Sequence, residues 1–257
     1  MDELPVPALA PAVTEPPVAR LAPLLLPRWL AALQVVVVCG VPTQLLVLFV
    51  LFVAGAPLPV DGHIPLELFA TLSLFDTALI AVLIRVFLAL SGETTNEVFL
   101  GTRPPAGEFW RGLVMLPVVL VAITGLVFLL RLVFPWLHTV AESPLAAYMD
   151  TPLDTAIFAF VVILAGGVRE ELQRGFILHR FRQRLGGATV GLAVFSVVFG
   201  AQHFTQGLDV ALAVGLLGLF WGILYLRRGS VVAPMVNHAG FDAAQVLQQV
   251  IVKAFAI

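Results

Sequence analysis

The segment 169–176 reads Arg-Glu-Glu-Leu-Gln-Arg-Gly-Phe, so four charged side chains stand within six positions of an otherwise apolar chain. Hydrophobic residues make up 60% of the sequence and charged residues only 12%. Several apolar runs exceed the roughly 18 residues that cross the hydrocarbon of a bilayer. An ionised side chain at that depth is costly unless it is paired or bound to a metal, so this cluster predicts a functional site inside a membrane.

The apolar runs predict the fold class, an all-α, polytopic membrane helix bundle of about seven transmembrane helices. The segments lie at about 30–54, 66–91, 112–135, 153–179, 188–203, 208–226 and 230–252. The stretch 92–111, which contains Pro104 and Pro105, is interpreted as a cytosolic connection. No internal repeat is evident, which disfavours a transporter built from repeated halves.

Two parts of the chain differ in composition. Residues 1–28 contain seven prolines, which cannot propagate a helix, and are predicted to form a Pro-rich cytosolic tail. The tail lacks the charged start, short apolar core and cleavage site of a signal peptide, so we expect it to be retained. Residues 29–257 are predicted to form a single membrane domain.

The basic residues predict how the chain is oriented in the membrane. Ten of the 14 lie at alternate turns, namely Arg20, Arg28, Arg85, Arg103, Arg111, Arg180, Arg182, Arg184, Arg227 and Arg228. The loops between those turns, 55–65, 136–152 and 204–207, contain neither Lys nor Arg. Because cytoplasmic loops are enriched in these residues, the N-terminus is predicted to be cytosolic. Arg131 and Lys253 are the exceptions, expected to snorkel or to lie on the far side.

Charge and cysteine content exclude several classes of function. A net charge of −2 and the lack of a Lys/Arg stripe predict no nucleic-acid partner. Cys39 is the only cysteine, which excludes a disulfide framework and a thiolate metal site. The Lys-poor composition is typical of bacterial proteins, so we expect an integral protein of the bacterial inner membrane. The bilayer is the expected partner, and the oligomeric state is left open.

The charged cluster on the fourth predicted helix has a defined helical geometry. Glu170 and Arg174 are four residues apart and can pair on one face, while Glu171 points about 100° away. The basic helix end at Arg184 follows more than ten residues later, which places the glutamates well inside the membrane. A charge cluster at the membrane interface is the ordinary structural alternative.

Two further polar groups lie on the fifth and seventh predicted helices. His203 ends the sequence Phe-Gly-Ala-Gln-His, and His238 and Asp242 stand one helical turn apart. Taken singly, these residues are explained by a core histidine and by hydrogen bonds between helices. Counted from the predicted cytosolic turns, however, Glu170, His203 and His238 reach a similar depth. Two imidazoles and a carboxylate are the ligands of a catalytic zinc site that keeps one position for water.

The motifs carry a resemblance to a known family. Paired glutamates followed by Arg-Gly-Phe, then Phe-x-x-x-His, then His-x-x-x-Asp, follow one another on successive predicted helices. In this order they resemble the CPBP family of intramembrane metalloproteases, also called the CAAX protease or Abi family. The resemblance covers roughly residues 150–250, which would form the catalytic core.

The resemblance implies a peptidase whose glutamates and histidines act on a water molecule in a cavity open to the membrane and cytosol. The catalytic residues it implies are Glu170, Glu171, Arg174, His203, His238 and Asp242. The metal ligands would come from His203, His238, Glu170 and Glu171, with Zn²⁺ expected and another divalent metal or none as alternatives. The expected substrate is a membrane-associated protein or peptide.

Individual roles also follow from the resemblance. One glutamate would hold the metal or the water, and the other would take a proton from the water and pass it to the leaving amine. Asp242 would orient a histidine, and Arg174 would fix a glutamate rotamer.

The motif departs from the family pattern at one point. The family has three residues between the glutamate pair and the arginine, whereas this chain has two. Either Glu170 takes the second glutamate position with Arg169 at the first, or the arginine arrives one residue early. Gly166 and Gly167 could permit a kink that absorbs the offset. Which glutamate is the general base stays open, as does an inactive member of the family.

Two other classes of function compete with a peptidase. A membrane scaffold or immunity-type binding protein could use the polar cavity to hold another membrane segment. A small transporter or proton relay would also explain ionisable residues inside the membrane.

Overall fold

The structure, a computed structural model, describes residues 26–56 and 64–255. Within these two ranges the chain is helical almost throughout, and no strand occurs. The all-α, polytopic bundle is therefore confirmed. The Pro-rich tail predicted for 1–28 lies almost wholly outside the described residues.

Nine α-helices form the bundle within the described ranges. They are α1 (Arg28–Val38), α2 (Val41–Val53), α3 (Leu66–Leu90), α4 (Pro105–Val133), α5 (Pro152–Val162), α6 (Glu171–Arg184), α7 (Ala188–Gln202), α8 (Leu208–Arg228) and α9 (Val232–Phe255). A π-helical segment, Ile163–Glu170, joins α5 to α6 without a break, and a second one spans Asn96–Leu100.

The first predicted helix is broken where one continuous helix was expected over 30–54. α1 ends at Val38 and α2 begins at Val41 at an angle of 52°. Gly40 lies between them with φ of 100°, a conformation that glycine adopts without a steric penalty. The following Pro42 lies in the first turn of α2, where the missing N–H is no loss. The glycine and proline together explain the break.

Helix α4, which corresponds to the predicted segment 112–135, begins earlier than the sequence predicted. α4 starts at Pro105, so 105–111 is helical and only the stretch from Ser91 to Pro104 connects α3 to α4. Pro105 is the first helical residue, where its fixed φ favours helix initiation. The prolines that indicated a connection therefore mark a helix start.

The number of membrane spans differs from the predicted seven. In the described part of the chain, four helical segments are long and apolar enough to cross a bilayer: α3, α4, the continuous Pro152–Arg184, and α8. The bent pair α1 and α2 adds a fifth if it counts as one span. α7 is apolar but has only 15 residues. The seven predicted segments are thus all helical, while a count of seven spans is not confirmed.

Large apolar side chains face outward along the long helices. On α4, Val114, Val118 and Val121 are each more than 70% exposed, as expected of a surface that contacts lipid. The main apolar core lies where α1, α3 and α6 meet, around Ile80 and Phe176. A second apolar cluster contains Val119, Phe199, Leu217 and Trp221 and packs beside the charged cluster.

Polar contacts show which residues lie at the same end of the bundle. α8 spans the bundle, so its first and last turns lie at opposite ends. Near its last turn, Arg103 donates a hydrogen bond to the carbonyl oxygen of Arg228 at 2.9 Å. Near its first turn, Arg131 pairs with Asp209 at 2.7 Å. Arg131, an exception in the charge pattern, therefore lies at the end opposite Arg103 and Arg228.

Candidate active site

The π-helical segment brings the glutamates against α9. A Cβ atom at Gly167 would lie 2.5 Å from Cβ of Ala239, and one at Gly166 would collide with the carboxylate of Asp242. Only glycine allows the two backbones to approach this closely. A π-helical turn also rotates the residues that follow it, and such turns are frequent at functional sites. The segment thus sets which way Glu170 and Glu171 point.

Glu171, Arg174 and His238 form a hydrogen-bonded group across α6 and α9. The guanidinium of Arg174 pairs with Oε1 of Glu171, three residues earlier. Nδ1 of His238 lies 2.8 Å from the same oxygen. The predicted pairing of Glu170 with Arg174 is therefore wrong as a hydrogen bond. Residues three apart are also neighbours on a helix, and Arg174 pairs with Glu171 while Glu170 contacts Arg169.

Arg174 is enclosed by aromatic rings as well as paired. The side chain is fully buried, and its Cζ atom lies 5.0, 4.9 and 5.5 Å from the ring centroids of Phe195, Phe199 and Trp221. A guanidinium in such a place is stabilised by its carboxylate and by the ring faces. Arg174 therefore brings a paired guanidinium to the centre of the cluster.

His238 is held from two sides. Its ring stacks on Trp221 with 3.7 Å between centroids and 17° between planes. Trp221 donates to Oδ1 of Asn237 at 2.9 Å, and Asn237 donates to the carbonyl of Gly112 on α4 at 2.9 Å. Because Glu171 is paired with a guanidinium and can only accept, Nδ1 of His238 carries the hydrogen. Its Nε2 then faces the site as an acceptor.

Glu170 and Asp242 lie on the Nε2 side of His238. Oε2 of Glu170 is 3.8 Å and Oδ2 of Asp242 is 3.7 Å from Nε2 of His238. Both distances are too long for a direct hydrogen bond. Asp242 thus stands near His238, as predicted, without a hydrogen bond that would orient the ring.

A small cavity borders Glu170 but not Glu171. Its volume of about 30 Å³ lies between Gly40, Glu170, Gln173, Phe199 and Gln202. One water molecule needs at least about 10–15 Å³ by this measure, so the cavity has room for water. The side chain of Glu170 is 18% exposed and that of Glu171 only 1%. The two neighbouring glutamates therefore differ in their access to water.

His203 lies at the edge of the group. Its Nδ1 donates to the carbonyl oxygen of Phe199 at 2.9 Å, which leaves Nε2 as an acceptor. The ring centroid of Phe199 lies 5.0 Å from that of His203 and 6.2 Å from that of His238. The two imidazoles thus flank one phenylalanine. Within the described residues, His203 has neither a hydrogen bond nor an ion pair to the predicted carboxylates.

The donor atoms do not converge as a metal site. In residues 26–56 and 64–255, no three His, Cys, Asp or Glu side chains are grouped to hold a metal ion. Nδ1 of His238 and Oε1 of Glu171 already satisfy each other. The atoms left over are Nε2 of His203, Nε2 of His238 and the carboxylate of Glu170. This arrangement does not fit zinc as it stands, and zinc ligation stays a prediction.

Several residues of the site were not selected from the sequence. Asp76 on α3 pairs with Arg169 at 2.7 Å, and Trp221 and Asn237 hold His238. Asp76 did carry a signal, because it is the only charged residue between Glu67 and Arg85 on an apolar helix. Trp221 carried none, since a tryptophan in a membrane helix is common.

Fold and site together define a class. A polytopic helical bundle with Glu171 and Arg174 buried on its long 152–184 span, and with His238 of α9 buried against them, is an integral membrane protein with a site suited to proton transfer.

Residues 152–244 match the family model described as type II CAAX prenyl endopeptidase Rce1-like. The match runs from α5 into α9 and includes all six predicted catalytic residues. It confirms, for this segment, the CAAX protease family that the motifs resemble. Comparisons with curated proteins and with solved structures gave no match.

Proposed function

We propose that this chain is an intramembrane endopeptidase that hydrolyses a peptide bond of a membrane-associated protein or peptide, with Glu170 as the general base. The observation that carries the proposal is the position of Glu170, at the wall of a water-sized cavity within the family-matched segment. A general base must lie within reach of the water whose proton it removes.

The two glutamates take different roles in this proposal. Glu171 is buried, paired with Arg174 and bonded to His238, so it has little freedom to exchange a proton with water. It fixes the tautomer and orientation of His238 instead. Glu170 has no such close partner on its Oε2 atom and borders the cavity. Glu170 is therefore the proton acceptor.

The reaction is hydrolysis through a tetrahedral intermediate. Glu170 takes one proton from the cavity water as the water oxygen attacks the scissile carbonyl carbon. The C–N bond then breaks, and Glu170 returns the proton to the leaving nitrogen.

The membrane setting follows from the apolar helices. We also propose that the protein lies in the bacterial inner membrane with its N-terminus in the cytosol. The membrane is inferred from the composition and the orientation from the Lys/Arg pattern. Under this orientation the basic end of the bundle, which includes Arg103 and Arg228, faces the cytosol.

The proposal is tested with purified protein in lipid vesicles and a library of quenched fluorescent peptides that carry a membrane anchor. We expect cleavage by the parent and a loss of about 10²–10⁴-fold in Glu170→Gln, the usual contribution of a general base. Glu67→Gln, on an exposed face of α3 outside the site, is the matched control and should keep parental activity.

Three outcomes would contradict the proposal. Equal activity of the parent and Glu170→Gln would exclude Glu170 as the base. Stable binding of an anchored peptide that is never cleaved would favour the scaffold class, and proton or ion flux across the vesicle would favour a transporter.

A further inference from the structure

A second pocket lies at the basic end of the bundle, away from the candidate active site. It has a volume of about 190 Å³, against about 30 Å³ for the cavity beside Glu170. The start of α1 and the turn from α6 to α7 line it, with Arg28, Arg182, Gln183, Arg184, Gly186 and Gly187 among the lining residues. None of the predicted catalytic residues belongs to this pocket.

Three arginines line this pocket, and no carboxylate lines it with them. Within residues 26–56 and 64–255, Arg28, Arg182 and Arg184 have neither an ion pair nor a side-chain hydrogen bond. A guanidinium has five N–H donors and no acceptor, so these groups can be satisfied only by water or by an acceptor from outside the described chain. The pocket therefore presents uncompensated positive charge.

Two other arginines at this end are paired within the protein. Arg180 pairs with Glu93, and Arg228 pairs with Glu108. Gln183 of the pocket wall donates a hydrogen bond to Glu93, but the charge of that carboxylate is already compensated by Arg180. Because like charges in one pocket repel one another, an anionic ligand is the natural partner of the three unpaired arginines.

The first turn of α7 adds backbone donors beside the same pocket. Gly187, a lining residue, directly precedes α7, and no side chain of the described residues caps the helix there. The first N–H groups of a helix point outward, and the helix dipole favours negative charge at this end, so helix N-termini bind phosphate. The start of α7 thus favours the same kind of ligand as the arginines.

The surface next to the pocket is apolar and exposed. Trp29 directly follows Arg28 and is 68% exposed, and tryptophan is enriched at the membrane–water interface. On α7, Val190 lies three residues after Gly187 and is 47% exposed, and Val197 further along is 73% exposed. Both helices therefore present lipid-facing side chains within about a turn of the pocket. The pocket lies at the level of the lipid headgroups.

We propose that this pocket binds a phosphate group, carried by the headgroup of an anionic phospholipid or supplied as free phosphate. The planar fork of arginine matches phosphate oxygens and holds them through two parallel N–H bonds. Basic pockets between membrane helices are typical binding sites for anionic lipid headgroups. The bound group joins the start of α1 to the turn between α6 and α7. The inference goes beyond the proposed function and does not depend on it.

The test measures binding of phosphatidylglycerol with a fluorescent label in one acyl chain to the purified chain in a neutral detergent. We expect saturable binding of about one lipid per chain and a Kd at least about tenfold higher in the double variant Arg182→Gln, Arg184→Gln, since hydrogen bonds to charged groups are lost. Arg28→Gln, on a different helix, should raise the Kd about fivefold. Size-exclusion chromatography checks that each variant is folded.

Arg227→Gln is the matched control. Arg227 is an exposed arginine in the last turn of α8, at the same end of the bundle, and it does not line the pocket. Its replacement removes one positive charge, as Arg28→Gln does. In about 0.15 M salt, a charge that only adds to the surface potential is largely screened, so the Kd should stay within about twofold of the parent.

Competition with inorganic phosphate distinguishes the two sources of the ligand. A lipid site keeps the labelled phosphatidylglycerol when inorganic phosphate is added at millimolar concentration, because the acyl chains contribute to binding. A site for free phosphate releases the label, and the phosphate that displaces it should be less effective in the double variant. Either result supports the phosphate site and assigns its source.

Three results would overturn the inference. The first is a parental Kd in the folded double variant and in Arg28→Gln. The second is a loss in Arg227→Gln as large as that in the double variant, which would show general attraction to positive charge. The third is equal affinity for phosphatidylcholine, whose choline group offsets the phosphate charge, since the acyl chains alone would then explain binding.

Discussion

Nδ1 of His238 lies 2.8 Å from Oε1 of Glu171, the oxygen that also receives the guanidinium of Arg174. This one carboxylate oxygen therefore joins α6 to α9 and fixes an imidazole and an arginine together. Because Arg174 and His238 are both buried, this contact holds α6 against α9 as well as pairing the charges. The neighbouring Glu170 makes neither of these bonds and borders a small cavity.

Replacing Glu171 should therefore destabilise the fold more than replacing Glu170. Glu171→Gln leaves the buried guanidinium of Arg174 without its counter-charge, which costs about 3–5 kcal/mol for a buried pair. Thermal unfolding in detergent should show a much lower midpoint for Glu171→Gln than for Glu170→Gln. Glu171→Gln combined with Arg174→Met removes both charges and should recover part of the loss. Equal midpoints for the two single variants would contradict this division of roles.

Glu93 should make stability depend on acid pH. The carboxylate follows α3 and lies 2.5 Å from Nε2 of His179, and it also pairs with Arg180. Burial raises the pKa of Glu93, but the hydrogen bonds and charges of His179 and Arg180 outweigh burial and lower it from 4.5 to about 2. The unfolded chain thus binds this proton at higher pH than the folded chain. The stabilisation is complete above pH 4.5 and is lost as the pH falls toward 2.

Thermal unfolding between pH 7 and pH 3 checks this prediction. The midpoint of the parent should exceed that of Glu93→Gln at neutral pH, and the difference should shrink at the acid end. A difference that stays constant with pH would show that the Glu93 carboxylate is not responsible.

Much of the fold could be predicted from the sequence, because apolar runs and their Pro, Gly and Arg boundaries are local signals. The helix starts at Leu66, Pro152 and Leu208 lie within about a residue of the prediction. The break at Gly40 was not predicted, since the flanking residues are all apolar and continue the helical pattern. The start of α4 was misplaced because Pro104 and Pro105 fit both a loop and a helix start.

The site was less predictable for a physical reason. The motif residues were found because charges in an apolar helix are rare, but helical spacing allows Arg174 to pair with a residue either three or four positions earlier. The pairing with Glu171 depends on the tertiary packing around the cluster, where His238 contacts the same carboxylate oxygen. Asp76 and Arg169 are 93 positions apart, and only the tertiary fold brings them together.

Reporter fusions should place the two ends of the bundle on opposite sides of the membrane. A fusion after Arg228, beside Arg103, should report the cytosol, and one inserted within 140–150 should report the outside. Phosphatase and fluorescent-protein reporters at both sites provide complementary signals. The reverse result at either site would overturn the N-in orientation.

Metal dependence separates two ways of activating the same water. Zinc ligation predicts about one zinc per purified chain, loss of activity with 1,10-phenanthroline, and recovery when zinc is added. It also predicts much less metal in His203→Ala and His238→Ala, measured by inductively coupled plasma mass spectrometry on folded protein. To form such a site, Nε2 of His203 and of His238 would have to approach Glu170, which lies 3.8 Å from His238. Parental activity in protein shown to be metal-free would contradict zinc, and Glu170 would then activate the water without a Lewis acid.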